Sequence, residues 1–362
     1  MADNSATWLS RPRRSHDESA FAVGFKTTVA YPVRDWVTFT WLGRAIVGDP
    51  AWNVGEDGTV ADSSFFVDRH LGDCPIDEVA RGACTGPPPQ PPFELVDADV
   101  GGGTPKVILR DALGRTFFVK PDDPAWSGLG SSASVISSRI LWALGYHVPA
   151  IYPIILTGTG RADLDGRRAS AALAVPGDVC GHFKFDWFRL RREFRGLRLA
   201  CAWLNDTDRV DTNTLVTVVD GQARYYLIDV NSTLGSWQGR PKPAWRGWRY
   251  WWDVEWQLAG ALTFGLARPG YDPDQPIVSE AIGRFDARFD PRTWRPQFPS
   301  TAFDRMTDAD ARWMTARIAA LGPEQLRAIV AEAGLDAPSD ADYLLEILLE
   351  RRRMILETWP AD

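Results

Sequence analysis

The sequence predicts an α+β protein, in which a small sheet with one helix precedes a larger helical part. Three observations carry this. Short runs with strand periodicity cluster between residues 93 and 120. A helical period takes over at Ser131. The second half then holds amphipathic stretches bounded by capping residues and breakers.

Bulk properties set the limits. A chain of 362 residues can bury one large core or two modest ones. At 45% hydrophobic and 24% charged, it has the composition of an ordinary soluble globular protein. A net charge of −7 gives no basic footprint, which argues against nucleic acid as the main partner. Cys74, Cys84, Cys180 and Cys201 form no CxxC pair, and His16, His70, His147 and His182 are scattered, so a structural zinc site is not expected. Cys74 and Cys84 would be a disulfide in an oxidising compartment or free thiols in a reducing one. No apolar run reaches membrane-spanning length. No apolar stretch follows Arg11, Arg13 and Arg14, so no signal peptide is expected. As given, the chain reads as cytoplasmic; a start further upstream would make it exported or envelope-associated.

Taken in order, residues 1–20 are polar and expected to be disordered. Trp36–Trp41 alternates like a strand and reads equally as an irregular packing segment. Gly86–Pro92 is too rich in proline for a helix or a central strand, and it closes an N-terminal extension spanning 21–92. The sheet-rich part is expected over 93–180 and the helical part over 181–362. Phe93–Val96, Lys106–Arg110 and Thr116–Lys120 are predicted strands. A glycine-rich turn, Asp99–Thr104, joins the first two, and Asp111–Arg115 makes a hairpin of the next two. Val135, Ile136, Ile140, Leu141 and Leu144 share a helical face, and Gly145 supplies the stop. Val148–Leu156 is the next strand.

Beyond it, Phe185–Leu204 is predicted as an amphipathic helix. Leu215–Val219 and Tyr225–Ile228 flank Asp220-Gly221 as a second hairpin. Trp252–Phe264 is a further helix. Thr307 with Asp310 resembles a capping box, Gly322-Pro323 is a stop and restart, and Ser339 is the predicted cap of a last helix ending near Trp359. No internal repeat is present. Of the 17 tryptophans, Trp245, Trp248, Trp251, Trp252 and Trp256 cluster. A packed core is the preferred reading of that cluster, and an aromatic acceptor surface the alternative.

One set of residues carries chemistry. Phosphoryl transfer needs a cation on the phosphates, an amide and a carboxylate to hold magnesium, and a base near the acceptor hydroxyl. Kinases supply these as a lysine ending the third strand, an Asp-x-x-x-x-Asn loop, and an Asp closing the next hairpin. Here Lys120, Asp208 to Asn213, and Asp229 occur in that order. Each alone is commonplace: a solvated strand-end lysine, a chance spacing, a polar turn. Gly101, Gly102 and Gly103 lack the GxGxxG spacing and read equally as a plain turn. Asp206 and Asp211 read as solvated or turn-forming.

The runs Asp206–Asn213 and Leu227–Gly235 resemble the catalytic and metal-binding loops of atypical kinases, with the phosphatidylinositol 3/4-kinases, HipA and the secreted Fam20-type kinases nearest. Arg139–Pro149 is similar to the helix-then-strand passage of HipA-like N-lobes. Over residues 50–359 the chain also resembles a group of uncharacterised bacterial proteins. In these a segment like Ala51–Val54 precedes a kinase-like core and a tail like Leu348–Ile355 follows it. The resemblance implies a protein-kinase-like two-lobed fold that uses ATP and Mg2+. It casts Asp208 as the base, Asn213 and Asp229 as metal ligands, and Lys120 as the contact to the α/β-phosphates. Gly101–Gly103 would approach those phosphates by backbone amides.

Two departures stand out. The helix acid that normally pairs with the strand-three lysine is replaced by Ser134, which leaves Lys120 without a fixed partner. Asp122 and Asp123 sit too near Lys120 in sequence to fill that role. The glycine expected two residues after the metal Asp is Asn231, which tolerates a left-handed backbone. A pseudokinase or nucleotide-binding interaction module is therefore the second reading, and AMP transfer a third. The acceptor, whether protein, lipid, sugar or small molecule, is not legible.

Overall fold

The computed structural model describes residues 7–12, 49–98, 104–264, 266 and 270–360. The strand expected at Trp36–Trp41, the triplet Gly101–Gly103 and most of residues 1–20 lie outside the described residues.

A short helix, α1 (Ile76–Arg81), precedes the sheet. Strands β1 (Glu94–Asp97), β2 (Val107–Arg110) and β3 (Thr116–Pro121) follow, then helix α2 (Leu129–Ala143) and strands β4 (Ile151–Ile155) and β5 (Arg168–Leu173). These five strands form one antiparallel sheet in the order β1-β2-β3-β5-β4. β5 was not legible as a strand, yet it fills the slot between β3 and β4 and sets Ser170 opposite Lys120. Its Ala169 and Ala171 are fully buried, so small size rather than β-branching suits this strand. The alternation of β3 directs buried Phe117 and Val119 to one face, and Phe118 and Lys120 to the other.

α2 begins before Ser131 because Asp122 caps it. The Asp122 carboxylate accepts from Gly128 N at 2.8 Å, Ser131 N at 2.9 Å and Ser131 Oγ at 2.6 Å. Val135, Ile136, Ile140 and Leu141 are fully buried along its inner face. Gly145 ends the turn at φ 111°, where a Cβ would sit 2.1 Å from the Phe66 ring.

A three-stranded sheet, β6 (Asp178–Gly181), β7 (Thr214–Val219) and β8 (Gln222–Leu227), follows, with β6 an addition to the expected hairpin. Asp220 and Gly221 both take positive φ, the two-residue turn that suits twisted strands. The helix expected over Phe185–Leu204 is instead a 3-10 turn at Phe185–Phe188 and then α3 (Arg192–Leu204). Arg191 is extended between them, and Asn53 fixes the restart. Its Oδ1 accepts from Arg192 N at 2.8 Å, and its Nδ2 donates to Glu193 at 2.6 Å.

The remaining helices are α4 (Val254–Leu262), α5 (Thr301–Asp304), α6 (Asp308–Ala320), α7 (Pro323–Ala331) and α8 (Pro338–Thr358). Thr307 and Asp310 form the expected capping box, and Pro323 restarts the chain. The last helix starts earlier than expected. Ala337 is its N-cap and Pro338 its first residue, so Ser339 lies inside the first turn rather than capping it.

The main core joins the inner face of α2 to α3, α6, α7 and α8 and takes in Phe65 and Phe66 from the segment before α1. A smaller core, with Leu109, Phe117, Val119 and Tyr152, lies on the sheet. The chain is thus α+β, a small antiparallel sheet with one helix ahead of a larger helical part, as expected of a kinase-like order. All four cysteines are thiols. Among the described residues, no helix is long and apolar enough to cross a membrane.

Candidate functional site

α3 ends on Asn205 in the left-handed region, and the chain turns into the loop 206–213. Asp206 is buried, not solvated: its carboxylate pairs with Arg209 at 2.8 Å with both side chains out of water. Arg209 then donates to Asn213 O at 2.9 Å and Ile228 O at 2.7 Å, which ties this loop to the end of β8. Asp211 opens a 3-10 turn, and its carboxylate accepts from Phe185 N at 3.1 Å.

Within that frame Asn213 Nδ2 donates to the Asp208 carbonyl at 2.7 Å. One N–H of the amide is thereby committed inside the loop, and its Oδ1, on the other branch of the amide, could face a cation. Ile228 N donates to Asn213 O at 3.0 Å, so Asn213 and Asp229 are held on adjoining backbone.

Asp229 follows β8 with φ 56°, so the left-handed residue is Asp229 itself rather than Asn231. Lys120 forms an ion pair with Asp229 and donates to Asn231 Oδ1 at 3.1 Å. Asn231 Nδ2 in turn donates to Thr104 Oγ1 at 3.2 Å, joining the metal-loop side to the residue that ends the glycine-rich turn. Lys120 therefore has a fixed partner, contrary to expectation, and the partner is Asp229. Ser134 offers none: it is buried, and its hydroxyl donates to Gly130 O at 2.8 Å. Asp122 is occupied as the cap of α2.

Two further contacts position these loops. Thr233 Oγ1 meets Ser137 Oγ at 2.7 Å and Val230 O at 2.9 Å, clamping the loop after β8 to α2. Buried Lys242 donates to Asn205 O and to Ser232 O, at 3.1 Å for the latter, and so bridges both loops. Burial holds its ammonium well below the usual lysine range.

Burial, then the negative charges of Asp229 and Asp206, push the Asp208 carboxyl up to about 6. Asp229 moves the other way. Burial would raise it, but the Lys120 charge and hydrogen bond, with Lys106 and Arg209, hold it below the usual range. Burial, with the charge of Lys120, lowers Lys106. Two carboxylates separated in this way, one basic and one firmly ionised, can divide proton transfer from cation binding.

The donor set suits magnesium: an amide oxygen and a carboxylate are hard ligands, and such sites take one or two protein groups plus phosphate oxygens. Among the described residues, no group of three His, Cys, Asp or Glu could hold a metal.

The structure thus brings Lys120, Asp208, Asn213 and Asp229 into one linked network, while Gly101–Gly103 lie outside the described residues. Lys106, Arg209 and Lys242 were given no role in this site by the sequence. The tryptophan cluster is not the packed core that was preferred. Trp251 and Trp252 are each 49% exposed, and Trp245, Trp248 and Trp256 are half-buried.

No protein-family model matches the chain. No curated protein matches it either. Among solved structures it is similar to a Helicobacter pylori proinflammatory kinase, CtkA, at 13% identity and a TM-score of 0.42, over 71% of this chain and 90% of that one.

Proposed function

We propose that this chain is an atypical kinase-like phosphotransferase that binds ATP and Mg2+, with residues 93–180 as its N-lobe and 181–362 as its C-lobe. One observation carries the reading. The strand-end lysine pairs with the Asp229 carboxylate, backbone bonds tie Asp229's strand end to the Asn213 loop, the Asn213 amide holds the Asp208 main chain, and the two carboxylates are displaced in opposite directions in pKa.

Asp208 accepts the proton of an acceptor hydroxyl as its oxygen attacks the γ-phosphorus. The bond from that phosphorus to the β-phosphate oxygen breaks, and ADP leaves with the electron pair. With its pKa at about 6, Asp208 is mostly ionised at neutral pH and still basic enough to hold the proton. Asn213 Oδ1 and the Asp229 carboxylate would hold magnesium, which when bound neutralises charge on the phosphates. Lys120 would move from Asp229 toward the α/β-phosphates, the role the kinase resemblance gives it together with Gly101–Gly103.

A second reading, a pseudokinase that binds nucleotide without transfer, is favoured by Ser134, which puts no carboxylate on α2 to hold Lys120 in place. Incubation with γ-labelled ATP and magnesium separates the two. Label on the protein or release of ADP, lost in Asp208→Asn, supports transfer. Nucleotide binding with neither signal supports the pseudokinase.

A further inference from the structure

Arg246 has no role in that scheme, yet it is only 3% exposed. Its guanidinium lies 4.3 Å from the centre of the Trp237 ring, 4.5 Å from Trp245 and 5.7 Å from Trp251. One nitrogen, Nη1, donates to the Gln297 side chain. The other two, Nε and Nη2, are buried with no hydrogen-bond partner. These two atoms form one edge of the guanidinium, whose parallel N–H bonds match the two oxygens of a carboxylate or phosphate. A buried charged group with a whole edge unpaired is costly, and indole walls strengthen whatever anion pairs with it.

Arg246 is linked to the loop of the proposed base. Gln297, which holds Arg246, donates its backbone N–H to Thr207 O at 2.7 Å, the residue before Asp208. It also accepts from Trp251 N at 2.7 Å. One residue therefore ties the Asp208 loop, the guanidinium and an indole wall together. The charges agree: burial holds Arg246 down to about 10 while the Asp208 charge raises it.

We propose that the Nε–Nη2 edge of Arg246 is an acceptor subsite, binding a carboxylate or phosphate carried by a hydroxyl-bearing acceptor whose hydroxyl then faces Asp208. This rests on the phosphotransferase reading. The edge is closed to solvent here, so the anion enters as a wall moves. Trp251, at 49% exposed, is the least enclosed of the three indoles. An oxyanion beside Asp208 would otherwise be repelled, and Arg246 removes that penalty.

The test is isothermal titration of the full chain with inorganic phosphate and, separately, acetate, without nucleotide or magnesium. At least one anion is expected to bind, at least tenfold more weakly in Arg246→Lys, which keeps the charge but loses the edge. Gln297→Glu, nearly isosteric, should weaken binding at least fivefold by placing a carboxylate on the same guanidinium, and it serves if Arg246→Lys does not fold. Affinities equal in wild type, Arg246→Lys and Gln297→Glu, or no anion binding at millimolar concentration, overturn the proposal. Loss of anion binding on saturation with ATP and magnesium also overturns it, because the edge would then belong to the nucleotide. ATP titrated separately distinguishes the two ideas: Arg246-dependent anion binding without ATP binding would sink the kinase reading while leaving an anion site.

Discussion

Lys120 and Asp229, 109 residues apart in sequence, form an ion pair that joins the third strand of the sheet to the loop after the β7–β8 hairpin. The lysine that lacks an acid on α2 thus takes its counter-charge from the residue assigned to magnesium. Cation and ammonium compete for one carboxylate, and binding must exchange them.

That competition can be read directly. Lys120→Met removes the ammonium, so magnesium titrated alone should bind severalfold more tightly. ATP with magnesium should bind about tenfold more weakly, a loss of about 1.4 kcal/mol, because the phosphates lose their cation. Calorimetry of each ligand decides it. Unchanged magnesium affinity would show that Lys120 does not compete at Asp229.

The raised pKa of Asp208 predicts two pH effects. Phosphotransfer should fall as pH drops through about 6, approaching tenfold per unit, as the base is protonated. Stability runs the other way. The folded value lies above that of an ordinary aspartate, so ionised Asp208 opposes folding above about pH 6 and is neutral in effect below about pH 4. Asp208→Asn should therefore stabilise the fold at pH 7 by on the order of 1–3 kcal/mol, and hardly at pH 4. Equal effects at both pH values, measured by denaturant unfolding, would contradict the assignment.

Ser134→Glu tests the missing acid. Ser134 is 3% exposed and Lys120 already has a partner, so a glutamate here buries a charge. The expected result is a loss of about 2 kcal/mol or more in unfolding free energy, with no gain in ATP affinity. Tighter ATP binding that depends on Lys120 would show that the lysine leaves Asp229 readily for α2.

Two glycines separate backbone strain from overpacking. Gly114 has φ 77° and open space around its Cβ position, so Gly114→Ala should cost about 1 kcal/mol. Gly145→Ala meets the Phe66 ring at 2.1 Å as well as a positive φ, and should cost about 3 kcal/mol or more. Similar losses at both positions would mean that Phe66 has room to move.

Much of the sheet was legible because its cues are local. The Asp111–Arg115 turn, the apolar face of α2 and the Asp220-Gly221 hairpin are written in neighbouring residues. β5 was not, because alanine and serine carry no strand signal and its slot is set by the close approach of β3, β4 and α2. The helix expected over 185–204 broke because Asn53, far away in sequence, caps a restart at Arg192. At the site, Lys120, Asp208, Asn213 and Asp229 stood out by order and spacing. Arg246 did not, because its meaning lies in unpaired atoms and in the contacts of Gln297, which only folding brings together. The tryptophans divide: Trp203, Trp294 and Trp359 are core anchors as expected, whereas in the cluster Trp251 and Trp252 are half exposed and Trp245 and Trp251 stand against the Arg246 guanidinium.

The most direct test is isothermal titration of ATP with magnesium into the wild-type chain, Asp229→Asn and Asp208→Asn. Magnesium-dependent binding to the wild type is expected, weakened at least about tenfold in Asp229→Asn and changed less than about threefold in Asp208→Asn, since one carboxylate serves the cation and the other the acceptor. Magnesium-independent binding, or equal loss in the two variants, would contradict that division of roles.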